Sequence, residues 1–159
     1  MKKRNVILSG LALAGAIFAG SFAGSNLYAS EDVEQFEQGN QMRTLSSLGI
    51  EAKSNDLEPM KTLTDENGKK WIYTDFTKRT PLMDKIENER SVGAKSAFIE
   101  VQDAIMQKYA EIGDSIPVIL LDEELKEGSF SFNREDGEAL IFKLKYNEKK
   151  AAWDYEQEK

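Results

Sequence analysis

The C-terminal stretch GSFSFNREDGEALIFKLKYNEKKAAWDYEQEK constrains the fold more than any other part of the chain. Successive side chains of a strand point to opposite faces, so Leu140, Phe142, Leu144 and Tyr146 share one face. Phe130 and Phe132 join them only if the intervening loop holds an odd number of residues. A five-residue loop, Arg134–Glu138, meets this condition by pairing Phe132 with Leu140 and Phe130 with Phe142. A four-residue loop over Asn147–Lys150 then sets Tyr146 opposite Ala151, Leu144 opposite Trp153, Phe142 opposite Tyr155 and Lys143 opposite Asp154. The other face collects Ser129, Ser131, Asn133, Lys143, Lys145, Asp154 and Glu156. The result is a one-sided antiparallel sheet that requires an apolar cover.

That cover is expected over residues 94–112. Phe98, Val101, Ile105, Tyr109 and Ile112 are spaced 3, 4, 4 and 3 apart, the stripe of an amphipathic helix. Gly113 is placed to end the helix, and Pro117 prevents its continuation. Upstream, KTLTDENGKKWIYTDF has the pattern of a hairpin turning at Asn67-Gly68. Thr80-Pro81 opens a short helix carrying Leu82, Met83 and Ile86. Pro117–Leu121 forms a further strand. The expected fold class is α+β, one long helix packed on the apolar face of an antiparallel sheet of about four to six strands, within a domain of residues 60–159. In outline this resembles the cystatin-like helix-on-sheet folds, a resemblance of architecture that implies no site.

The N-terminus places this domain outside the cytoplasm. Lys2, Lys3 and Arg4 precede an uncharged apolar run from Val6 to about Ala23, and small residues then lead to Ala29 and the acids Glu31, Asp32 and Glu34. This is the order of a secretory signal peptide over residues 1–29, with cleavage favoured after Ala29 over the alternative after Ala23. The competing reading retains residues 6–24 as a membrane anchor, although Gly10, Gly15, Gly20 and Gly24 make that run weakly hydrophobic. Removing residues 1–29 deletes three basic residues and no acid, which takes the net charge from −7 to −10. Residues 30–59 read as a flexible or partly helical lead segment, with Gly39-Asn40 between two short apolar groupings.

Composition then narrows the chemistry. With 28 acidic against 21 basic residues, the chain lacks the basic footprint that nucleic acid requires. It contains no cysteine and no histidine. Disulfides, thiolate or imidazole metal ligands and any Ser–His or Cys–His nucleophile pair are thereby excluded.

The remaining candidates are aromatic and carboxylate groups. Trp153 and Tyr155 fall on the buried face and belong to the core. Trp71 and Tyr73 alternate with Ile72, Thr74 and Phe76, so their strand is apolar on both faces. Either the Trp71/Tyr73 pair forms an exposed contact patch, or the 30–60 segment or the 81–90 helix covers it. Asp122, Glu123, Glu124 and Glu127, with Glu135, Asp136 and Glu138, supply carboxylates in two turns. Convergent pairs among them would suit acid–base glycoside chemistry. Neither turn fits a calcium loop, because counting back from Gly137 puts Phe132 at the first ligand position. No metal and no cofactor is expected.

The expected function is a small exported, non-catalytic binding module whose partner is another extracellular or envelope protein. Membrane contact would come only through an uncleaved N-terminal segment. The alternatives are a carboxylate-based hydrolase of a wall or extracellular glycan, and an envelope component tethered by residues 6–24.

Overall fold

The five-residue β-turn at Arg134–Glu138 sets the observed register of the C-terminal strands, with Phe132 opposite Leu140 and Phe130 opposite Phe142. The computed structural model describes residues 27–159, with side chains from residue 33 onward. The segment expected to direct export, with its cleavage or anchor readings, thus lies outside the described residues, apart from the backbone of its last three positions. Six strands, β1 (Lys61–Thr64), β2 (Lys70–Asp75), β3 (Val118–Asp122), β4 (Glu127–Asn133), β5 (Ala139–Asn147) and β6 (Ala152–Gln157), form one antiparallel sheet in chain order. The architecture is α+β.

Three helices accompany the sheet among the described residues: α1 (Leu27–Ser47), α2 (Thr80–Glu89) and α3 (Ala94–Tyr109). The expectation of one long helix is therefore corrected. Helices α2 and α3 are inserted between β2 and β3 and cover the face predicted to be apolar. Their Leu82, Ile86, Phe98 and Ile105 pack with Phe130, Phe132, Phe142 and Trp153. Phe98 and Trp153 approach to 4.7 Å between ring centroids, as do Tyr109 and Phe142. Burial of so much aromatic area is the principal stabilising term on this side.

Helix α3 ends three residues before the expected boundary at Ile112. Ala110 adopts an extended backbone, with φ −73° and ψ 143°, which takes the chain out of the helix, and in the turn that follows Asp114 accepts the Glu111 backbone N–H at 2.8 Å. Ile112 consequently leaves the buried stripe and is 82% exposed.

Helix α1 crosses the opposite face of the sheet and packs on β3 and β4. Gly39-Asn40 lies inside it without interrupting it. A second apolar cluster forms here from Leu45, Ile50, Leu57, Leu63, Tyr73, Val118 and Leu120. The reason is visible in β3, where Val118 and Leu120 point one way and Ile119 and Leu121 the other. One helical layer cannot bury both sets. Among the described residues no helix is long and apolar enough to cross a membrane.

The β5–β6 register differs from expectation by two residues. The loop keeps four residues but slides to Glu148–Ala151, closed by the pair Asn147–Ala152. Ala151 takes a left-handed φ of 49°, and the Asn147 carbonyl accepts the Lys150 N–H at 3.2 Å. Tyr146 now faces Trp153 and Leu144 faces Tyr155, while Lys143 meets Glu156 and Lys145 meets Asp154. An even slip preserves the faces, so Trp153 is still buried.

Gly128 in β4 allows a close approach of β3. A Cβ there would lie 2.1 Å from the Leu120 carbonyl oxygen and 2.5 Å from Leu121 Cδ2. Gly128→Ala is expected to destabilise the protein by about 1–3 kcal/mol, because a strand backbone must move. Urea unfolding of the two proteins checks this; equal midpoints would show that the sheet yields freely at this position.

Candidate functional site

The register brings the residues of the second sheet face into rows. Trp71, Asp122, Glu127, Lys145 and Asp154 follow one another across β2 to β6, and the next row inward runs Tyr73, Leu120, Ser129, Lys143 and Glu156. Helix α1 covers only part of this face. The uncovered part is a groove of about 550 Å³ lined by Trp71, Glu127, Lys143, Lys145, Asp154 and Glu156, with the backbone of Gly128 among its walls.

Trp71 is half-buried and firmly oriented. Its Nε1–H donates to Asp65 Oδ2 at 2.9 Å, and Lys69 Nζ sits 4.1 Å from its ring centroid. Asp65 also accepts the backbone N–H groups of Asn67 and Lys69 through its other oxygen. The Trp71 indole, more than any other contact, holds the Asp65 carboxyl below its usual range. The hairpin turn thereby positions the ring before any ligand arrives, which lowers the ordering cost of binding. Lys145, on β5, is exposed elsewhere in the same groove, and Lys69 bridges to Glu127 at 3.3 Å. The groove therefore offers one preset aromatic ring and side chains of both charges.

Tyr73, the other member of the sequence-derived patch, is fully buried. It points beneath α1, where its hydroxyl donates to Gln41 Oε1 at 2.9 Å. Burial pushes the Tyr73 phenol up, and the neighbouring Asp75 charge adds to the shift. Of the two aromatic candidates, only Trp71 borders open space.

The turn carboxylates do not converge. Asp122 Oδ1 accepts the backbone N–H groups of Lys126 and Glu127 at 2.7 and 3.0 Å, so it closes the β3–β4 turn. Glu123 and Glu124 are exposed on that turn. Glu135 and Asp136 lie at the far end of the seven-residue strand β4, about 20 Å away at the usual rise per residue. No group of three or more acidic side chains positioned for a metal occurs among the described residues.

A second concavity, of about 330 Å³, lies between α1 and the end of β2. Val33, Leu57 and Ile116 form its apolar side, and Glu34, Glu37 and Asp75 its acidic side. Asp75 is 2% exposed, and its Oδ1 accepts Thr77 N at 2.8 Å and Lys78 N at 2.9 Å. It thereby caps a 3₁₀ turn at Phe76–Lys78. Burial raises the Glu37 carboxyl above its usual value; Asp75 reinforces this, and the Ile116 backbone N–H opposes it. None of these residues was singled out from the sequence. Polar helix positions next to a strand-end aspartate give no one-dimensional signal.

Comparison with protein-family models, curated proteins and solved structures returned no match.

Glu37 links the docking of α1 to pH. A carboxyl whose folded value is raised contributes stability that is complete below its unfolded value and is lost as pH rises through the folded value. Glu37→Gln is expected to be more stable than the parent at neutral pH, with the difference shrinking toward acid. Thermal unfolding of both proteins across this range checks it, and parallel pH profiles would contradict it.

Proposed function

We propose that the protein is a small exported, non-catalytic binding module that holds another extracellular or envelope protein in the Trp71 groove. The observation that carries this reading is the placement of Trp71. A large aromatic ring, fixed by Asp65 and Lys69, borders a groove that no part of the described chain fills. Preset aromatic side chains surrounded by charged residues are the typical anchors of protein interfaces. The separation of the turn carboxylates favours binding over acid–base chemistry. Export rests on the basic, apolar and small-residue order of the first 29 residues.

Two substitutions test the groove. Trp71→Ala removes the anchor, and Lys145→Glu changes the charge of an exposed lining residue with no burial at stake. The protein is recovered from culture, its N-terminus is read by mass spectrometry, and it is crosslinked to its extracellular neighbours. Loss of one and the same crosslinked protein in both variants, with Lys145→Glu still unfolding cooperatively although it now stands between Glu127 and Asp154, is the expected result. Crosslinking that is indifferent to both substitutions would remove the groove from consideration, and an N-terminus at Met1 would replace cleavage by a tether.

A further inference from the structure

The sheet ends at β6, and its edge presents hydrogen-bonding groups at a fixed spacing. The Tyr146 N–H donates toward β4, to the Lys126 carbonyl, while the Glu158 N–H donates to the Ile141 carbonyl on β5. In an antiparallel ladder alternate residues exchange bonds with a given neighbour. Asp154 and Glu156 therefore bond to β5, and the backbone N–H and C=O groups of Trp153, Tyr155 and Gln157 point away from the sheet. These outward groups have no backbone partner among the described residues. An unpaired ladder of this kind fits one type of ligand, another extended backbone.

The two edges of the sheet are protected differently. Strand β1 is only four residues long, begins at Lys61 and follows Pro59, and Met60 turns the chain there with a left-handed φ of 67°. Strand β6 has six residues without proline or lysine, and its register with β5 runs without a bulge. Its only guard is charge of one sign. Asp154, Glu156 and, just past the strand, Glu158 recur at every second residue and are exposed on the outer face, where the first two line the Trp71 groove. On the β5 side this row is matched by Lys145 and Lys143, opposite Asp154 and Glu156, and Lys143 also bridges to Glu158 at 2.9 Å. Charge thus alternates across the strands, from Glu127 to Lys145 to Asp154, and stops on an acidic row with no strand beyond it.

We propose that β6 is a docking edge for an extended segment of a partner protein that carries lysine or arginine at every second position. The proposal rests on the protein-binding role given above and specifies the partner's chemistry. The segment pairs antiparallel with β6 and bonds to the backbone of Trp153, Tyr155 and Gln157. Its basic side chains fall opposite Asp154 and Glu156, continuing the alternation of charge across the groove. Its intervening side chains lie on the inner face beside the half-buried Tyr155. Backbone bonds supply the affinity, and the acidic row supplies the selectivity. A second copy of β6 does not suit this edge, because pairing would set acid against acid.

The test titrates the purified protein with the peptide Ac-Lys-Val-Lys-Thr-Lys-Val-NH2 at low ionic strength, where screening is weak, and follows backbone amide shifts and hydrogen exchange by NMR. One control peptide has its Val and Thr amides N-methylated, which keeps every charge but removes the donors that face β6. A second has Glu in place of each Lys. Saturable binding of the first peptide is expected, with slowed exchange at the Trp153, Tyr155 and Gln157 amides. The methylated peptide is expected to bind at least about tenfold more weakly, and the Glu peptide not to saturate. Asp154→Asn combined with Glu156→Gln, two exposed and shape-conserving changes, is expected to weaken the first peptide about fivefold. Absence of saturable binding, unchanged exchange at the three amides, equal affinity of either control peptide, or full affinity in the double variant would overturn the proposal. Trp71→Ala is expected to leave this titration unaltered. Loss of the crosslinked protein in Trp71→Ala without peptide binding at β6 would therefore remove the edge and leave the groove standing.

Discussion

Strand β3 carries apolar side chains on both of its faces, and the rest of the molecule is arranged around that demand. Val118 and Leu120 face one way, Ile119 and Leu121 the other, and none is more than slightly exposed. A sheet with a two-sided central strand must be covered twice. Helices α2 and α3 close one side over Phe130, Phe132 and Phe142, while α1 and the loop through Ile50 and Leu57 close the other. The second cover is shorter than the sheet it lies on. Its apolar contacts end with β3, and the charged outer faces of β5 and β6 are left open beside Trp71. The groove is thus a direct consequence of one helix serving only the strands that need it.

How α1 is held explains the second concavity. Its inward positions include Glu37, Gln41 and Thr44, spaced four and three residues apart, followed by the apolar Leu45. Gln41 meets the Tyr73 hydroxyl, and Thr44 Oγ1 accepts from Asn133 Nδ2 at 2.8 Å. Each of these bonds adds little net stability, but leaving its buried partner unpaired would cost more. The apolar anchor is confined to the C-terminal end of the helix, around Leu45 and Ile50. Toward the N-terminal end the contact becomes acidic and less closely packed, which is where the cleft opens.

Much of the first sheet face was legible in the sequence. Alternation in Phe130–Phe132 and Leu140–Tyr146 allowed only an odd loop between them, and the observed register is that one. The burial of Trp153 followed from the same parity, and it survived a two-residue slip of β6 because parity alone sets the face. What parity cannot distinguish is where an even loop sits. The left-handed conformation of Ala151 made that choice. The end of α3 was misplaced for a related reason: Ile112 continues the helical period, but the backbone turns extended at Ala110, and the Asp114 carboxylate then holds the Glu111 N–H in a turn outside the helix. Helix α1 left only two short apolar groupings in the sequence, enough for a partly helical reading but not for one continuous helix, since its docking stripe is largely polar.

The sequence by itself determined that the chain builds an α+β domain, that its C-terminal strands bury one face, and that thiol and imidazole chemistry is absent. Each follows from residue type or from a period of two, which need no knowledge of distant partners. Only the tertiary structure decided that Tyr73 lies beneath a helix while its neighbour Trp71 borders a groove. Only it set Glu37 beside Asp75, residues 38 positions apart in the chain. Those outcomes depend on which segment covers which half of a face, and that is set by the three-dimensional fit of polar and apolar groups rather than by any local pattern.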